Sequence, residues 1–412
     1  MGYSLLGFEL GLSQRDFRIY NNFKDGTANN NRIADADFGG HHGAPLALMK
    51  GVAEWGARPM GQSCWGTGGA NFDAFFVGLA DEVGDLDENI ISARYDNGGS
   101  TLAITYFGRT GWQIRFFDHP WEWHDGPEYP PEGNNRTDLQ AICAHEYGHA
   151  LGLGHTSVEG ATMYPYASGV GDGLRTIEGD DRDGLLALYG AASASKPAVI
   201  GLTGGTGVGE LLVIEGNNFS TSDNEVWFTA DGIDGKPIKV LGVPSTSGGT
   251  TIEVVIPEGT CNGAVAVRKK GRCHASLSNS FPLQVKAGGA GVPVPDVRVN
   301  GEDGPLTVSS TDVLTLTVSM DPGNMEGLEQ DWWLYAEFDP PWNYKYWYEH
   351  PGRWIQSPGR IRAYDGPLLV LEDLVIFSFP LPAGFWRFTF SIDEKNGIIE
   401  QTRIDTIEIT VN

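Results

Sequence analysis

The spacing of hydrophobic residues changes several times between residues 1 and 190, which predicts a region of mixed helices and strands. Four large apolar residues in "GAPLALMKGVAEWGA" recur at helical spacing and predict an amphipathic helix over 43–57 that packs on a sheet. These residues are Leu48, Met49, Val52 and Trp55. The predicted strands lie near residues 17–21, 90–96, 101–107 and 112–117. Together these elements favour an α+β domain.

Two further helices are predicted in the same region. Thr137-Asp138-Leu139-Gln140 has the form of a capping box with Thr137 as N-cap, so a helix is predicted over 138–151. A closing helix is predicted within 176–190, where Gly190 suits a helix C-cap. The segment "AASASKPAV" that follows is interpreted as a hinge, so residues 1–192 are expected to fold as an independent domain.

From about residue 196 the pattern changes to short apolar runs separated by glycine, asparagine and proline. Runs such as "ELLVIEGNNF" and "TTIEVVIPEG" are typical of an all-β sandwich. After a second linker, "KAGGAGVPVP", further strands follow, with Asn396-Gly397 as a predicted hairpin turn. The predicted fold class is therefore multidomain, with an α+β domain at 1–192 and two all-β sandwich domains at 196–286 and 295–412.

Composition narrows the classes of function. The 412 residues fit about two to four domains, and a net charge of −25 argues against binding nucleic acid or anionic membranes. No run of about 18 consecutive apolar residues occurs, so no membrane span is expected. The first residues lack the basic start of a signal peptide. An acidic, exported protein is predicted, whose signal was removed or which uses another export route.

The chemistry is concentrated in "HEYGHALGLGH", residues 145–155. On a helix His145 and His149 share one face, and Gly152 permits a left-handed turn that returns His155 to the same point. Three imidazoles leave a fourth zinc position open for water, whose pKa the ion lowers to about 7 so that Glu146 can take its proton. The spacing predicts a catalytic zinc site with Glu146 as general base.

The residues after this motif carry a family resemblance. "ATMYP" (161–165) follows the third histidine, and a closing helix follows in turn, so the region resembles the metzincin metallopeptidases and within them the matrixins. The resemblance implies that Met163 forms a hydrophobic floor beneath the metal without binding it. Pro165 occupies the place where some metzincins carry a tyrosine ligand, so no tyrosine ligand is expected here.

The same resemblance indicates how a protein or peptide substrate would bind. "STLAITYFG" (100–108) is the candidate for the strand that pairs with substrate, with Leu102 and Ala103 at the pairing positions. Ala141 matches the position that sets pocket depth, and its small side chain predicts cleavage before a sizeable apolar residue. Pro165-Tyr166-Ala167 would form the pocket wall, although its order departs from the family pattern.

Further metal sites are a separate question. Four histidines lack the spacing of the matrixins' second zinc site and are predicted to be surface or hydrogen-bonded residues: His41, His42, His119 and His124. Two acidic clusters leave a structural calcium ion (Ca2+) open as an addition to the catalytic zinc (Zn2+), although carboxylates at a helix start also act as caps. The clusters are Asp81, Glu82, Asp85, Asp87 and Glu88, and Glu178, Asp180, Asp181 and Asp183.

Four cysteines are too few for a disulfide scaffold, although one bond in each region is conceivable. Cys64 and Cys143 fall in the first region, and Cys261 and Cys273 in the second. Cys143 is expected to be buried or disulfide-bonded.

Two features of the downstream region indicate what kind of domains it contains. "VIEGNNF" (213–219) resembles IPT/TIG immunoglobulin-like domains. The last region is rich in aromatic residues, which either fill a sandwich core or form a surface that stacks on polysaccharide. They include Trp332, Trp333, Trp342, Trp347, Trp354 and Trp386.

The sequence therefore predicts a secreted zinc endopeptidase. The alternative is an extracellular structural or adhesive protein, self-associating through its β domains, that carries a dormant or self-processing peptidase domain. Intact His145, Glu146, His149 and His155 favour the first, because a dormant site need not keep all four.

Overall fold

The computed structural model describes residues 2–80, 82–130, 135–166, 175–230, 236–285, 293–322, 327–338, 344–357, 359–395 and 403–412. The chain forms two compact units, which are described separately. The first comprises Met1–Thr206 and Glu210–Val285, and the second comprises Gly207–Gly209 and Lys286–Asn412. No helix among the described residues is long and apolar enough to cross a membrane.

The first part of unit one contains the helices α1 (Gly43–Ala53), α2 (Leu139–Leu151) and α3 (Gly179–Tyr189). Its strands are β1 (Ser4–Leu5), β2 (Asp16–Tyr20), β3 (Phe75–Leu79), β4 (Ile90–Asn97), β5 (Ala103–Phe107), β6 (Trp112–His119), β7 (Glu122–His124), β8 (Arg136–Asp138) and β9 (Leu153–Gly154). The four strands predicted in this region are confirmed by β2, β4, β5 and β6, and the prediction of mixed helices and strands is confirmed with them.

The main sheet of this region is a mixed sheet. Its strand order is β3-β2-β4-β6-β5, and its strands run parallel except β5, which pairs antiparallel with β6 at the edge of the sheet. An edge strand has one side without a neighbouring strand, so its backbone is available to an extended chain. This edge lies beside α2.

Helix α1 differs from the amphipathic helix that was predicted. It ends at Ala53, and nearly all its side chains are buried, with Lys50 as the main polar exception. Helix α2 packs closely against it, because a Cβ atom at Gly51 would lie only 2.8 Å from the Cβ of Cys143. A helix covered on both sides needs no polar face, so the amphipathic interpretation was wrong.

The second part of unit one consists of strands and a short 3-10 turn (His274–Ser276). Its strands are β10 (Ala198–Gly204), β11 (Leu211–Asn217), β12 (Asn224–Ala230), β13 (Ile238–Val243), β14 (Thr251–Val255), β15 (Thr260–Arg268) and β16 (Phe281–Leu283). They form a sheet of order β10-β11-β14 and another of order β13-β12-β15-β16. The IPT/TIG resemblance and the domain boundaries at 192, 196 and 286 stay predictions.

These strands share one hydrophobic core with the helical region. Trp227 and Leu277 belong to the same buried cluster as the side chains of α1 and α2, and the Trp227 ring lies 5.8 Å from that of Phe75. The hydroxyl of Thr229 donates to the carbonyl of Phe76 at 2.8 Å. The two parts therefore bury apolar surface against each other.

The segment predicted as a hinge also belongs to this core. Lys196 and Asp73 form an ion pair of 2.8 Å in which both side chains are at most 5% exposed. Lys196 also donates to the carbonyl of Leu277. A hinge would keep its charges in solvent, so the hinge interpretation of residues 191–199 was wrong.

Unit two is built from strands, which agrees with the all-β pattern downstream. They are β17 (Val294–Val299), β18 (Leu306–Val308), β19 (Leu314–Asp321), β20 (Glu329–Phe338), β21 (Tyr344–Glu349), β22 (Arg353–Gln356), β23 (Tyr364–Pro367), β24 (Leu371–Phe379), β25 (Gly384–Glu394) and β26 (Arg403–Val411). One sheet has the order β17-β19-β24, and another has β18-β26-β25-β20-β21-β22 with β23 paired to β20. The predicted turn at Asn396-Gly397 lies outside the described residues.

Most of the tryptophans of unit two are core residues. Trp332, Trp333, Trp347 and Trp386 are buried, Trp354 is half-buried, and Trp342 lies outside the described residues. Buried rings are not available to stack on a sugar, so the polysaccharide-binding interpretation gains no support.

None of the four cysteines, all of which lie in the described part of the chain, forms a disulfide bond. Cys143 is fully buried as expected, and burial raises the pKa of its thiol above the usual range. The conceivable bonds within each region are therefore not formed.

The shared core predicts the outcome of truncation. A fragment ending at residue 192 loses the strands that pack on Phe75 and Phe76. It also loses Lys196, the partner of Asp73, and loss of one partner of a buried pair costs about 3–5 kcal/mol. We expect this fragment to aggregate or to unfold without a cooperative transition, whereas residues 1–285 should unfold cooperatively. Thermal unfolding followed by circular dichroism distinguishes the two, and a stable, cooperative 1–192 fragment would contradict the shared core.

Candidate metal centre

Helix α2 carries the first two histidines, and a carboxylate fixes its start. Asp138 is the N-cap: its Oδ1 accepts the backbone N–H of Ala141 at 3.0 Å. Its Oδ2 accepts a hydrogen bond from Nε of Arg175 at 2.8 Å. The prediction of Thr137 as N-cap was wrong, because β8 extends through Asp138 and the helix begins one residue later than predicted.

The end of α2 matches the prediction. Gly152 adopts a left-handed conformation with φ 105°, and a Cβ atom there would lie 2.2 Å from the carbonyl oxygen of Phe8. The hydroxyl of Tyr189 donates to the carbonyl of Leu151 at 2.8 Å. This turn reverses the chain into β9 and brings His155 back toward the helix.

The three histidines converge. Nδ1 of His145 lies 2.6 Å from the carbonyl of Thr162, and Nδ1 of His149 lies 2.8 Å from that of Leu153. A carbonyl oxygen only accepts, so each Nδ1 carries the proton and each Nε2 keeps its lone pair. His149 Nε2 and His155 Nε2 are 3.2 Å apart, and one ligand atom from each of the three residues lies within 4.8 Å of the others.

The imidazoles are also in the protonation state that binds metal. Burial lowers the pKa of His145 to about 4 and shifts that of His149 in the same direction. Burial lowers the pKa of the more exposed His155 as well. All three rings are therefore neutral near pH 7, and neutral imidazole nitrogens are good zinc ligands.

Glu146 follows the first histidine and belongs to the same helix. Its side chain is only 6% exposed, and its Oε2 accepts a hydrogen bond of 2.7 Å from the hydroxyl of Thr105 on β5. Burial raises the pKa of Glu146, while His149 and the Thr105 hydrogen bond oppose that rise. A carboxylate with a raised pKa is suited to accept and return a proton.

Met163 is buried against helix α2. It is 2% exposed, and its sulfur would lie 2.2 Å from a Cβ atom built on Gly148, so the thioether packs against α2. Its role as a support, implied by the resemblance, stays a prediction.

Asp181 was not identified as a site residue from the sequence, although it holds the methionine turn in place. One of its oxygens accepts the N–H of Met163 at 3.0 Å, and the other accepts those of Thr162 at 2.8 Å and Glu178 at 2.9 Å. In the sequence Asp181 is one carboxylate of a cluster at a helix start. Only the closeness of α3 to the methionine turn reveals its second role.

A groove of about 1150 Å³ runs past the histidines. Among the predicted substrate-binding residues, Leu102, Ala103, Pro165 and Tyr166 line it. Ala141 is buried outside this lining, where Ile142 is found in its place. Ala167 lies outside the described residues, and the assigned roles in substrate binding stay predictions.

The two predicted pairing residues face opposite directions. The carbonyl of Leu102 accepts the N–H of Phe117 at 2.9 Å and so points toward β6. Backbone groups of neighbouring residues in an antiparallel strand point to alternate sides, so Ala103 and Thr105 direct theirs to the open edge. Ala103 is therefore the member of the pair that suits strand addition.

The acidic clusters have other partners. Asp87 Oδ1 accepts the N–H groups of Thr110 at 2.7 Å and Gly111 at 3.0 Å, and Asp180 Oδ1 accepts those of Gly2 and Tyr3, both at 3.0 Å. Within the described ranges, the side-chain groups close enough to share an ion are the histidine trio and Asp296, Asp303 and Asp405. Asp81 lies outside the described residues, and no group formed by the other members of the two predicted calcium clusters is among them, so calcium gains no support.

The four histidines that were predicted to be surface or hydrogen-bonded residues lie apart from the trio, either at the surface or near polar groups. His42 and His119 are exposed, Nε2 of His41 lies 3.3 Å from the carbonyl of Asn262, and that of His124 lies 3.7 Å from Glu122.

The mixed sheet, the zinc-type histidines and the methionine turn together define a metallopeptidase-like domain. Residues 86–190 match the family model described as Matrixin, so the chain contains a matrixin domain. This chain is 37% identical over 101 residues to the hatching enzyme of Paracentrotus lividus, and the match covers 24% of this chain and 16% of that protein. It is 39% identical over 116 residues to matrix metalloproteinase-25 of Mus musculus, covering 26% and 17% respectively. The chain thus spans about a sixth of the length of these two relatives.

Likeness among solved structures is weaker. SGBP-B from a xyloglucan utilization locus in Bacteroides uniformis is 16% identical, covers 52% of this chain and 48% of that chain, and has a TM-score of 0.17. A TM-score this low carries no argument about fold or function.

The converging imidazoles predict a metal-binding phenotype. Wild-type protein should contain about one zinc ion per chain by elemental analysis. His149→Ala removes one of three ligands and should lose most of the metal, while His119→Ala changes an exposed histidine and should keep it. Full zinc retention in His149→Ala would exclude this ligand set.

The role of Asp181 predicts a loss of stability. Asp181→Ala leaves three N–H groups without their acceptor, and each unsatisfied buried group costs about 1–3 kcal/mol. We expect the free energy of unfolding to fall by about 3 kcal/mol or more in urea titrations. Asp183→Ala, an exposed position on the same helix, should change it by about 0.5 kcal/mol or less. Equal effects of the two substitutions would contradict the assigned role.

Proposed function

We propose that this chain is a secreted zinc-dependent endopeptidase that hydrolyses peptide bonds within extended protein or peptide substrates. One observation carries the proposal: three neutral imidazoles converge within 4.8 Å beside the carboxyl of Glu146, in a groove bordered by the open edge of β5. The matrixin domain at residues 86–190 supports it independently.

The donor set fits zinc. His145, His149 and His155 would hold the ion through their Nε2 atoms, since hydrogen bonds to backbone carbonyls occupy Nδ1 of the first two. A bound zinc ion would polarise the scissile carbonyl and lower the pKa of a water molecule at its open position. Met163 would support the ligands from below without contacting the ion.

Glu146 would move the proton. It accepts a proton from the attacking water as the new C–O bond forms, and it returns that proton to the amide nitrogen as the C–N bond breaks. The amine product then leaves as a neutral molecule, and the carboxylate of Glu146 is restored. The low exposure of Glu146 keeps bulk water from competing for this proton.

The groove favours an extended polypeptide over a small ligand. Its volume of about 1150 Å³ exceeds that of pockets for drug-sized molecules, which are about 300–1000 Å³. Ala103 and Thr105 direct backbone groups to the open edge, where a substrate strand can add to the sheet. Ile142, Pro165 and Tyr166 line the groove and favour an apolar residue after the scissile bond.

The matrixin relatives guide the choice of substrates and location. They include matrix metalloproteinases and a hatching enzyme. We therefore propose protein substrates outside the producing cell, which suits the net charge of −25. The strands of unit two would position the enzyme and perform no chemistry themselves.

The assignment of Glu146 as the general base predicts the outcome of a kinetic experiment. Glu146→Gln should keep the zinc, because the residue is not a ligand, and should lower kcat/KM on a peptide substrate by at least about a hundredfold. Glu159→Gln, an exposed substitution, serves as control and should leave the rate unchanged. Near-normal rates in Glu146→Gln would mean that another group takes the proton. A wild-type chain that binds zinc but cleaves no peptide would favour the dormant, structural alternative.

A further inference from the structure

Thr105 joins the open strand to the proposed base. It lies in β5, and its hydroxyl is 2.7 Å from Oε2 of Glu146 and 2.8 Å from the main-chain carbonyl of the same residue. Its backbone directs N–H and C=O toward the edge where substrate would add. A strand that binds substrate is therefore bonded to the carboxyl that would move the proton.

We propose that Thr105 is a positioning residue, whose hydroxyl holds the carboxyl of Glu146 in the orientation that proton transfer requires. This inference rests on the proposed endopeptidase function. The hydroxyl of Thr105 bonds to Glu146, and its effect on the reaction would be exerted through that residue.

The environment makes this contact strong. Glu146 is 6% exposed and Thr105 is half-buried, so few water molecules compete for the hydrogen bond. A hydrogen bond to a charged group is stronger than a bond between neutral groups. Threonine is β-branched and its side chain has few rotamers, so the hydroxyl is held in place by the strand.

The contact can persist through the reaction, because the transferred proton and the Thr105 hydroxyl use different oxygens of the carboxyl. The hydroxyl donates its single proton to Oε2 of Glu146, so the transferred proton is carried by Oε1 and stays available to the amide nitrogen. Oε2 can accept from the hydroxyl whether the carboxyl is charged or neutral, so the carboxyl keeps its place before and after the transfer.

The first test compares two substitutions at this position. Thr105→Val keeps the shape and removes the hydroxyl, and we expect kcat on a peptide substrate to fall about tenfold while KM changes less than about twofold. Thr105→Ser keeps the hydroxyl and should recover most of kcat. Zinc content and thermal stability are measured for both. Unchanged kcat in Thr105→Val, or equal losses in both variants, would overturn the inference.

The second test asks whether Thr105 acts through Glu146. In a Glu146→Gln background, adding Thr105→Val should cost less than about twofold in kcat, because the group that it positions is already removed. A further tenfold loss would show an independent role and overturn the inference. If the wild type is active and Glu146→Gln is not, the endopeptidase function stands whatever Thr105 does. A wild type without activity would instead defeat the function.

A third measurement does not depend on activity. Crystal structures of the metal-free wild type and of Thr105→Val should show the Glu146 carboxyl in one orientation in the first and rotated or divided between orientations in the second. An identical, fully ordered carboxyl in both would overturn the positioning role.

Discussion

The hydrogen bonds from histidine Nδ1 atoms to backbone carbonyls are the interactions on which the site depends. They select the tautomer that leaves Nε2 free, and they orient His145 and His149 toward a common point. The carbonyl that receives the first bond belongs to Thr162, whose own N–H is held by Asp181. The geometry of the ligands thus depends on a carboxylate in α3 that never approaches the metal position.

The parts of the site that are local in sequence could be predicted, and those that arise from long-range contacts could not. The common helix face of His145 and His149 and the left-handed turn at Gly152 follow from helix geometry, so the motif alone was enough to predict both features. The edge strand and its neighbours followed from alternation of apolar residues. By contrast, the role of Asp181 depends on contacts 18 and 19 residues away, and the contact between Thr105 and Glu146 spans 41. Such long-range contacts produce no periodic pattern of residues in the sequence.

The errors have the same physical origin. Residues 191–199 contain small and polar residues typical of a linker. Lys196 is nevertheless buried, because it forms an ion pair with Asp73, which lies 123 positions earlier in the chain. Helix α1 is covered on both sides, which removes the polar face that its pattern suggested. In both cases tertiary packing overrode a local signal. As a result, side chains from the strands after residue 198 belong to the same buried core as those of α2.

The central claim is that the converging histidines form a zinc centre that hydrolyses peptides. The most direct test is digestion of a peptide library by the full chain, with products identified by mass spectrometry, before and after removal of metal by a chelator and again after addition of zinc. We predict internal cleavage of extended peptides, its loss with the chelator, and its recovery with zinc. Cleavage that persists in the metal-free protein, or no cleavage by protein with a full complement of zinc, would contradict the account.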